Sequence, residues 1–350
     1  MRAVVFLGDR KLELREFPDP TPGPGEVVLD IKASGMCGSD LMFYRAPKEG
    51  GRAGDLGLGG DGGPVIAGHE PCGVVAAVGE GVEESQARLG QRVMVHHYKG
   101  CGVCNHCRQG WSQLCRAGFT VYGVTGHGAH APHMLAPART LVPLPEELSF
   151  ETGAAISCGT GTAFGALRRI GLSGRDTLAI FGQGPVGLSA TQLALAMGAR
   201  VIALDVGAER RALAKDFGAD AVIDPGADDP VAALQQLTHG EGVDLALDCS
   251  GNAEARAAAV RATRTWGTVG FVGEGGTVTL DVSADMIRRQ ITIVASWTFS
   301  SVGQAECARF VADRKIDVDR LFSDRHTLDQ ADAAYKRFDT QTTGKGVFTF

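Results

Sequence analysis

The chain has 350 residues, long enough for two domains, since single hydrophobic cores rarely grow past ~250–300 residues. Its 44% hydrophobic and 21% charged residues are ordinary for a globular protein, and a net charge of −6 without long runs argues against a nucleic-acid partner. Glycine is the exception: 49 residues is about twice the usual share, which implies many tight turns and close backbone approaches, as nucleotide-binding folds need.

The N-terminal "MRAVVFLGDRKLELREF" has five apolar residues and then charges, too short for a signal-peptide core. No apolar run approaches the ~18–20 residues of a membrane span. A cytoplasmic location with no membrane partner is the expectation. Residues 1–150 read as irregular β structure, with segments such as "EVVLDIKASG" (26–35) and "RVMVHH" (92–97) broken by clusters such as "PDPTPGPGE". The stretch "GGRAGDLGLGGDGGP" (50–64) contains eight glycines and cannot pack a core; a loop of this kind either covers a functional site or is a surface insertion.

Near 150 the pattern changes. "SFETGAAISCGTGTAFGALRRIG" reads as a helix, with Ser149 as N-cap and Gly171 as its stop. After it, apolar strand-like runs ("DTLAIFG", "RVIALD", "AVID", "VDLALDCSG", "TVGFVG") alternate with helical ones ("PVGLSATQLALAMG", "AERRALAKDFG", "AEARAAAVRATRTWG"). That alternation predicts a parallel sheet with helices on both faces. From about 298 the pattern mixes again, with helices near 300–313 and 328–338 and a terminal strand at 347–350.

Between "LAIF" and "ARVIALD" stands Gly182-x-Gly184-Pro185-Val186-Gly187, followed eighteen residues later by Asp205. A glycine triplet alone is a weak signal; between a strand and a helix, with an acidic residue ending the next strand, it is the dinucleotide fingerprint. Gly182 permits the tight turn, Gly184 lets pyrophosphate approach the backbone, and Gly187 allows close helix–strand packing. Free N–H groups at the helix N-terminus would then face the phosphates. Asp205 can accept both adenosine ribose hydroxyls and would repel a 2′-phosphate, so NAD is expected over NADP. Arg210 and Arg211 could partly offset that repulsion.

Nine cysteines, an odd count without an export signal, make a disulfide framework the weaker reading. Cys72, Cys249 and Cys307 stand singly in apolar surroundings and read as buried small hydrophobes. Cys101, Cys104, Cys107 and Cys115 fall in fifteen residues, so that one short lobe can wrap a tetrahedral ion. Four sulfurs suit a closed, structural zinc; an iron–sulfur cluster and a redox dithiol are the competing readings. Cys37 in "GMCGSD", His69–Glu70 in "AGHEP" and Cys158 in "ISCGTGT" are scattered. Together they supply two thiolates and an imidazole, three ligands that leave a fourth position open, as catalytic zinc needs.

These motifs, in this order, resemble the zinc-dependent medium-chain alcohol dehydrogenases along essentially the whole chain. The resemblance implies a Rossmann-type doubly wound parallel sheet plus a mainly β, GroES-like catalytic domain. It divides the chain into a catalytic domain at 1–158 with a structural zinc lobe at 97–116, an NAD-binding domain at 159–296, and a C-terminal return to the catalytic domain at 297–350. It implies two zincs per chain: Cys37, His69 and Cys158 on the catalytic one, and Cys101, Cys104, Cys107 and Cys115 on the structural one. Glu70 is then the neighbouring carboxylate, Asp40 orients His69, Ser39 takes the alcohol proton, and Thr162 lies against the nicotinamide. Gly182, Gly184, Pro185, Val186, Gly187, Asp205 and Arg210 would bind NAD.

The implied reaction is hydride transfer between a secondary alcohol, polyol or sugar derivative and NAD, in a homodimer or homotetramer. A reductase or lyase on the same scaffold, or a non-catalytic member, is the alternative. Three features depart from the family pattern. Met42 stands where many members have a histidine at the outer end of the proton relay. Polyol dehydrogenases typically carry glutamate where Cys158 stands. The stretch 50–63 widens the gap between Cys37 and His69. His96, His97 and Tyr98 would either line the substrate cleft or cap the zinc lobe.

Overall fold

The computed structural model describes residues 1–47 and 63–350, so the glycine-rich stretch 50–63 lies, but for Gly63, outside the described residues. The chain forms two compact units: residues 1–161, 299–340 and 345–350 make one, residues 162–298 and 341–344 the other. No helix among the described residues is long and apolar enough to cross a membrane.

The first unit is built on a seven-stranded mixed sheet. Its centre is strand Glu26–Gly35, whose residues are mostly buried on both faces. That strand pairs antiparallel with Glu70–Val78, with His133–Pro137 and with Lys345–Thr349. Arg92–Val95 and Leu141–Pro143 extend one side of the sheet, and Phe322–His326 extends the other. Helix Phe150–Ile156 packs on the two central strands. Ser149 caps it, accepting the Thr152 N–H at 2.9 Å.

The single helix read over 149–171 is two helices, Phe150–Ile156 and Gly159–Arg169. The break falls at Ser157–Cys158. The Ser157 hydroxyl donates to the Gly153 carbonyl at 3.0 Å and lies 2.8 Å from that of Pro71, a back-bond that bends helices, and Gly159 follows with its low helix propensity. Gly171, with φ of +74°, ends the second helix as expected.

The second unit holds a six-stranded parallel sheet in the order Ala221–Ile223, Arg200–Leu204, Thr177–Phe181, Val243–Asp248, Thr263–Phe271, Thr292–Ala295. Strand order reverses beside Thr177–Phe181, the arrangement of a doubly wound dinucleotide-binding sheet. Phe181, Ile202, Leu204 and Val260 are buried in its core, each stabilising the fold by roughly 1.5–3 kcal/mol through removal from water.

Three local features differ from the sequence expectation. Strand Thr263–Phe271 starts inside the stretch read as helical, because Thr263 leaves the helix while its hydroxyl returns to the Ala259 carbonyl at 2.8 Å. Helix Pro230–Leu237 was not among the expected elements, although Asp229 caps it with two backbone bonds and Pro230 opens it. The edge strand Thr292–Ala295 was not expected either; its four residues are too few to show a period.

The fingerprint glycines differ in how closely the fold encloses them. A Cβ on Gly187 would lie 1.8 Å from the Gly182 carbonyl oxygen, whereas one on Gly184 would meet nothing nearer than Arg210 at 3.8 Å. Gly187→Ala should therefore cost about 1–3 kcal/mol through forced backbone movement. The thermal midpoint should fall by several degrees, while that of ligand-free Gly184→Ala should stay within about a degree of the parent. Equal midpoints for the two variants would contradict this difference.

Candidate active site

Strand register assembles the first cluster. Gly35 pairs with Glu70, so Cys37, two residues beyond one strand end, comes level with His69, one residue before the other. The approach is close: a Cβ on Gly35 would lie 2.0 Å from Glu70 Oε2. Cys158 arrives from the helix break, anchored by the Ser157 hydroxyl on the Pro71 carbonyl. Ligand atoms of Cys37, His69, Glu70 and Cys158 all lie within 4.8 Å of one another, and all four residues are buried.

The two thiols are 3.9 Å apart. A tetrahedral ion with sulfurs at ~2.3 Å has a sulfur–sulfur edge of about 3.8 Å, so the pair fits a single zinc. Their mutual hydrogen bond, chiefly, holds the Cys37 thiol well below its ordinary range and pushes that of Cys158 well above it. Burial disfavours charge on His69, yet the Asp40 carboxylate and Cys37 outweigh it and raise the imidazole well above its usual value. The donors thus create a local demand for positive charge, which a divalent cation would meet.

Asp40 Oδ1 lies 2.9 Å from His69 Nδ1, and its Oδ2 accepts the Cys37 N–H at 2.8 Å. A carboxylate so placed favours a proton on Nδ1, so that a metal displacing any Nε2 proton would find that lone pair. Ser39 occupies the N-cap position of helix Asp40–Arg45 but makes no capping bond. Its Oγ is instead 3.1 Å from His69 Nε2. Met42, on the same helix, is 38% exposed.

Glu70 forms an ion pair with Lys345, which is 1% exposed and also donates to the Met36 carbonyl at 2.9 Å. Burial raises the Glu70 carboxyl to about 8, against the pull of Lys345. Sequence reasoning missed Lys345. Its signal was a lysine opening the apolar strand "KGVFTF", where a buried cation needs a partner.

The pair His96–His97 divides. The His97 ring centre is 5.4 Å from that of His69, and its Nδ1 is 2.7 Å from the Ser157 carbonyl. His96 packs edge-on against Phe299 at 5.7 Å, and burial pushes it down to about 4.

The second cluster is the lobe. Cys101–Cys107 and Cys104–Cys115 have sulfurs 4.0 Å apart, and all four lie within 4.8 Å. This again fits one tetrahedral ion, whereas several irons would hold the sulfurs further apart. Backbone N–H groups of Cys104 and Cys101 approach the sulfurs of Cys101 and Cys115 at 3.4 and 3.3 Å. A backbone bond from Cys107, first among the causes, brings the Cys104 thiol down to about 6, nearer the thiolate a metal binds. All nine cysteines are free thiols; Cys72 and Cys307 are buried as expected, but Cys249 is only half-buried.

In the second unit, Gly182 turns the chain with φ of +90°, and Gly184 is the N-cap of helix Pro185–Ala196, with Val186 and Gly187 in its first turn. Asp205 Oδ2 accepts the Gln183 N–H at 2.6 Å and Oδ1 the Gly207 N–H at 2.7 Å. Arg211 is paired with Asp224 at 2.8 Å, and Arg210 donates to the Thr343 carbonyl at 3.2 Å. Thr162 is buried on helix Gly159–Arg169.

Comparison with known proteins adds an independent line. A family model described as zinc-binding dehydrogenase matches residues 185–313, and one described as alcohol dehydrogenase GroES-like domain matches 23–146. The zinc-type alcohol dehydrogenase-like protein YphC of Escherichia coli is 40% identical, over 100% of this chain and 99% of its own length. L-idonate 5-dehydrogenase of Vitis vinifera is 31% identical, over 98% and 92% of the two chains. Among solved structures, alcohol dehydrogenase TADH from Thermus sp. ATN1 superposes with a TM-score of 0.89 at 28% identity, covering 100% of this chain and 99% of its own. The chain belongs to the zinc-dependent medium-chain alcohol dehydrogenases, oxidoreductases that act on CH–OH groups with zinc and NAD(P), and joins a GroES-like domain to a Rossmann-like one.

Proposed function

We propose that Cys37, His69 and Cys158 hold the catalytic zinc with Glu70 beside it, that Cys101, Cys104, Cys107 and Cys115 hold a structural zinc, and that NAD carries the hydride. The observation that carries this reading is the buried pair of thiols 3.9 Å apart, converging with His69 on one point. Zinc bound there would supply a Lewis acid that eases loss of a proton from an alcohol oxygen, and NAD would supply the hydride acceptor. Ser39 Oγ, beside His69 Nε2 and not used for capping, accepts the alcohol proton as it passes its own to the cofactor ribose or to solvent. Asp40 holds the His69 tautomer. Burial of Cys37, His69, Glu70 and Cys158 keeps water from their polar atoms. Thr162 is the residue assigned to contact with the nicotinamide.

For the cofactor, each Asp205 oxygen has one backbone donor and keeps capacity to accept an adenosine ribose hydroxyl. Its charge disfavours a 2′-phosphate. Arg211, paired with Asp224, is not free to offset that charge. Arg210, flanking Gly184, is assigned to the pyrophosphate side of the cradle.

The proposed substrate is a secondary alcohol carrying further hydroxyls. The relative named for idonate, a polyhydroxylated compound, supports this. So does His97: burial holds it well below its usual range, so the ring is neutral. With Nδ1–H given to the Ser157 carbonyl, its Nε2 remains an acceptor for a substrate hydroxyl.

Ser39→Ala should lower kcat by ~10²-fold for the best alcohol found in an NAD-linked absorbance screen, the usual scale for a proton-transfer contact. Zinc content and NAD affinity should not change. An unchanged kcat with chemistry rate-limiting would remove Ser39 from the proton path.

Asp205→Ala should weaken NAD binding at least ~10-fold in a fluorescence titration, since it removes the ribose acceptors and leaves the Gln183 and Gly207 N–H groups without theirs. The ratio of NADP to NAD affinity should rise. Unchanged affinity for both dinucleotides would exclude Asp205 as the ribose acceptor.

A further inference from the structure

Asp40 does not end at His69. Its Oδ2 also receives the Tyr335 hydroxyl at 3.2 Å, and Tyr335 Oη is 2.7 Å from His130 Nε2. His130 Nδ1 in turn is 2.7 Å from Ser34 Oγ. Ser34 lies on strand Glu26–Gly35 and Tyr335 on helix Ala331–Asp339. His130 belongs to the segment whose backbone pairs with Ala67 and Gly68, immediately before His69. Ser34, His130 and Tyr335 are each fully buried. The ring of His130 presses on the chain there: a Cβ on Gly68 would meet its Nδ1 at 2.4 Å.

The chemistry of the partners gives this chain one direction. A carboxylate can only accept, so the single Tyr335 proton goes to Asp40. His130 Nε2 must then carry a proton and donate to the Tyr335 oxygen. Burial pushes His130 down to about 4, so the ring is neutral and has no second proton. Its Nδ1 therefore accepts from the Ser34 hydroxyl. Every bond points toward Asp40, and hydrogen bonds aligned in this way polarise one another. The chain ends at buried Ser34, so it gives a proton no path to water.

We propose that Tyr335 and His130 are positioning residues for the catalytic metal site, their hydrogen-bonded chain fixing the Asp40 carboxylate and, through it, the His69 imidazole. This rests on the reading of His69 as a zinc ligand. Three groups then converge on Asp40: His69 Nδ1 at ion-pair distance, and the Cys37 N–H and the Tyr335 hydroxyl through hydrogen bonds. Two of them belong to proposed ligands, so a shift of the carboxylate would disturb both at once. Removing the Tyr335 hydroxyl would leave the Cys37 N–H as the one hydrogen bond on Asp40 Oδ2, so the carboxylate would be held less firmly against His69.

A packing role for Tyr335 is separable from this one. Its ring lies 4.9 Å from Phe6, 5.5 Å from Tyr44 and 6.2 Å from Phe348, centre to centre. Tyr335→Phe keeps those contacts and deletes only the hydroxyl.

The test is zinc release from the zinc-loaded full-length protein, timed with a chelator and a chromogenic zinc indicator, with His69→Ala identifying the phase of the buried site. Tyr335→Phe should speed release from that site by about tenfold, the low end for loss of a partner behind a metal-bound histidine. Release from the four-cysteine lobe should stay at the parental rate. His130→Leu should give a smaller increase in the same phase, and it carries the comparison if Tyr335→Phe does not fold. His130→Gln, whose amide can donate to Tyr335 and accept from Ser34, should restore the parental rate. The double variant Tyr335→Phe/His130→Leu should be no faster than Tyr335→Phe, because the chain acts through one hydroxyl. Parental release from the buried site in both single variants, or equal acceleration of both zincs, would overturn the proposal. A parent whose zinc release does not respond to His69→Ala would instead overturn the ligand reading and this inference with it.

Discussion

The pairing of Gly35 with Glu70 is the constraint on which the first unit depends. Antiparallel neighbours lie ≈ 4.7–4.9 Å apart, so the segments leaving these two strand ends stay within reach of a single ion. A one-residue slip would turn every side chain to the opposite face and carry His69 away from Cys37. Packing opposes the slip. Glu70 fills the space a side chain on residue 35 would need, and a Cβ on Gly73 would lie 2.1 Å from the Asp30 carbonyl. The same strand receives Lys345–Thr349 on its other side, which brings the ammonium of Lys345 to Glu70. Register therefore places two of the proposed ligands, the neighbouring carboxylate and its counter-ion together.

The charges brought together in this way are answered mainly by ion pairs, and Glu70 Oε1 is buried with no hydrogen-bond partner among the described residues. A buried carboxylate without a partner is costly, and a buried pair is best tolerated when its remaining polar atoms are satisfied. Glu70 has Lys345, and Lys345 has the Met36 carbonyl. Asp40 takes the backbone N–H of Cys37 and the Tyr335 hydroxyl. Two thiols and an imidazole converge there, a donor set that a cation at their centre would suit. The Ser39 hydroxyl is not spent on capping its six-residue helix and lies beside His69 Nε2 instead.

Much of this was legible from residue spacing. The four-cysteine lobe and the glycine fingerprint are local, so their geometry follows from short stretches of chain. The first cluster was legible only as a set of residue types; its members lie 121 positions apart at the extremes, Cys37 to Cys158, and only strand pairing and a helix break unite them. That break was only partly legible: Ser157 and Gly159 are weak local signals, and the contact of the Ser157 hydroxyl with Pro71 comes from a distant strand. Lys345, His130 and Tyr335 were missed for the same reason. His130 and Tyr335 are unremarkable among their sequence neighbours, Lys345 stands out only as a lysine opening an apolar strand, and each acquires its partner from more than ninety residues away. The helical reading past Ala262 failed where local propensity lost to sheet pairing: Thr263–Phe271 joins a parallel sheet between two neighbours.

The central claim is that strand register builds one open site and a separate lobe builds one closed site, each for a single zinc. Metal content of the purified full-length chain, by inductively coupled plasma mass spectrometry against protein concentration, tests it most directly. The account predicts about two zincs per chain, one from each cluster, falling to about one in Cys158→Ala as the three-ligand site loses a thiolate. One zinc in the parent, unchanged in Cys158→Ala, would contradict it.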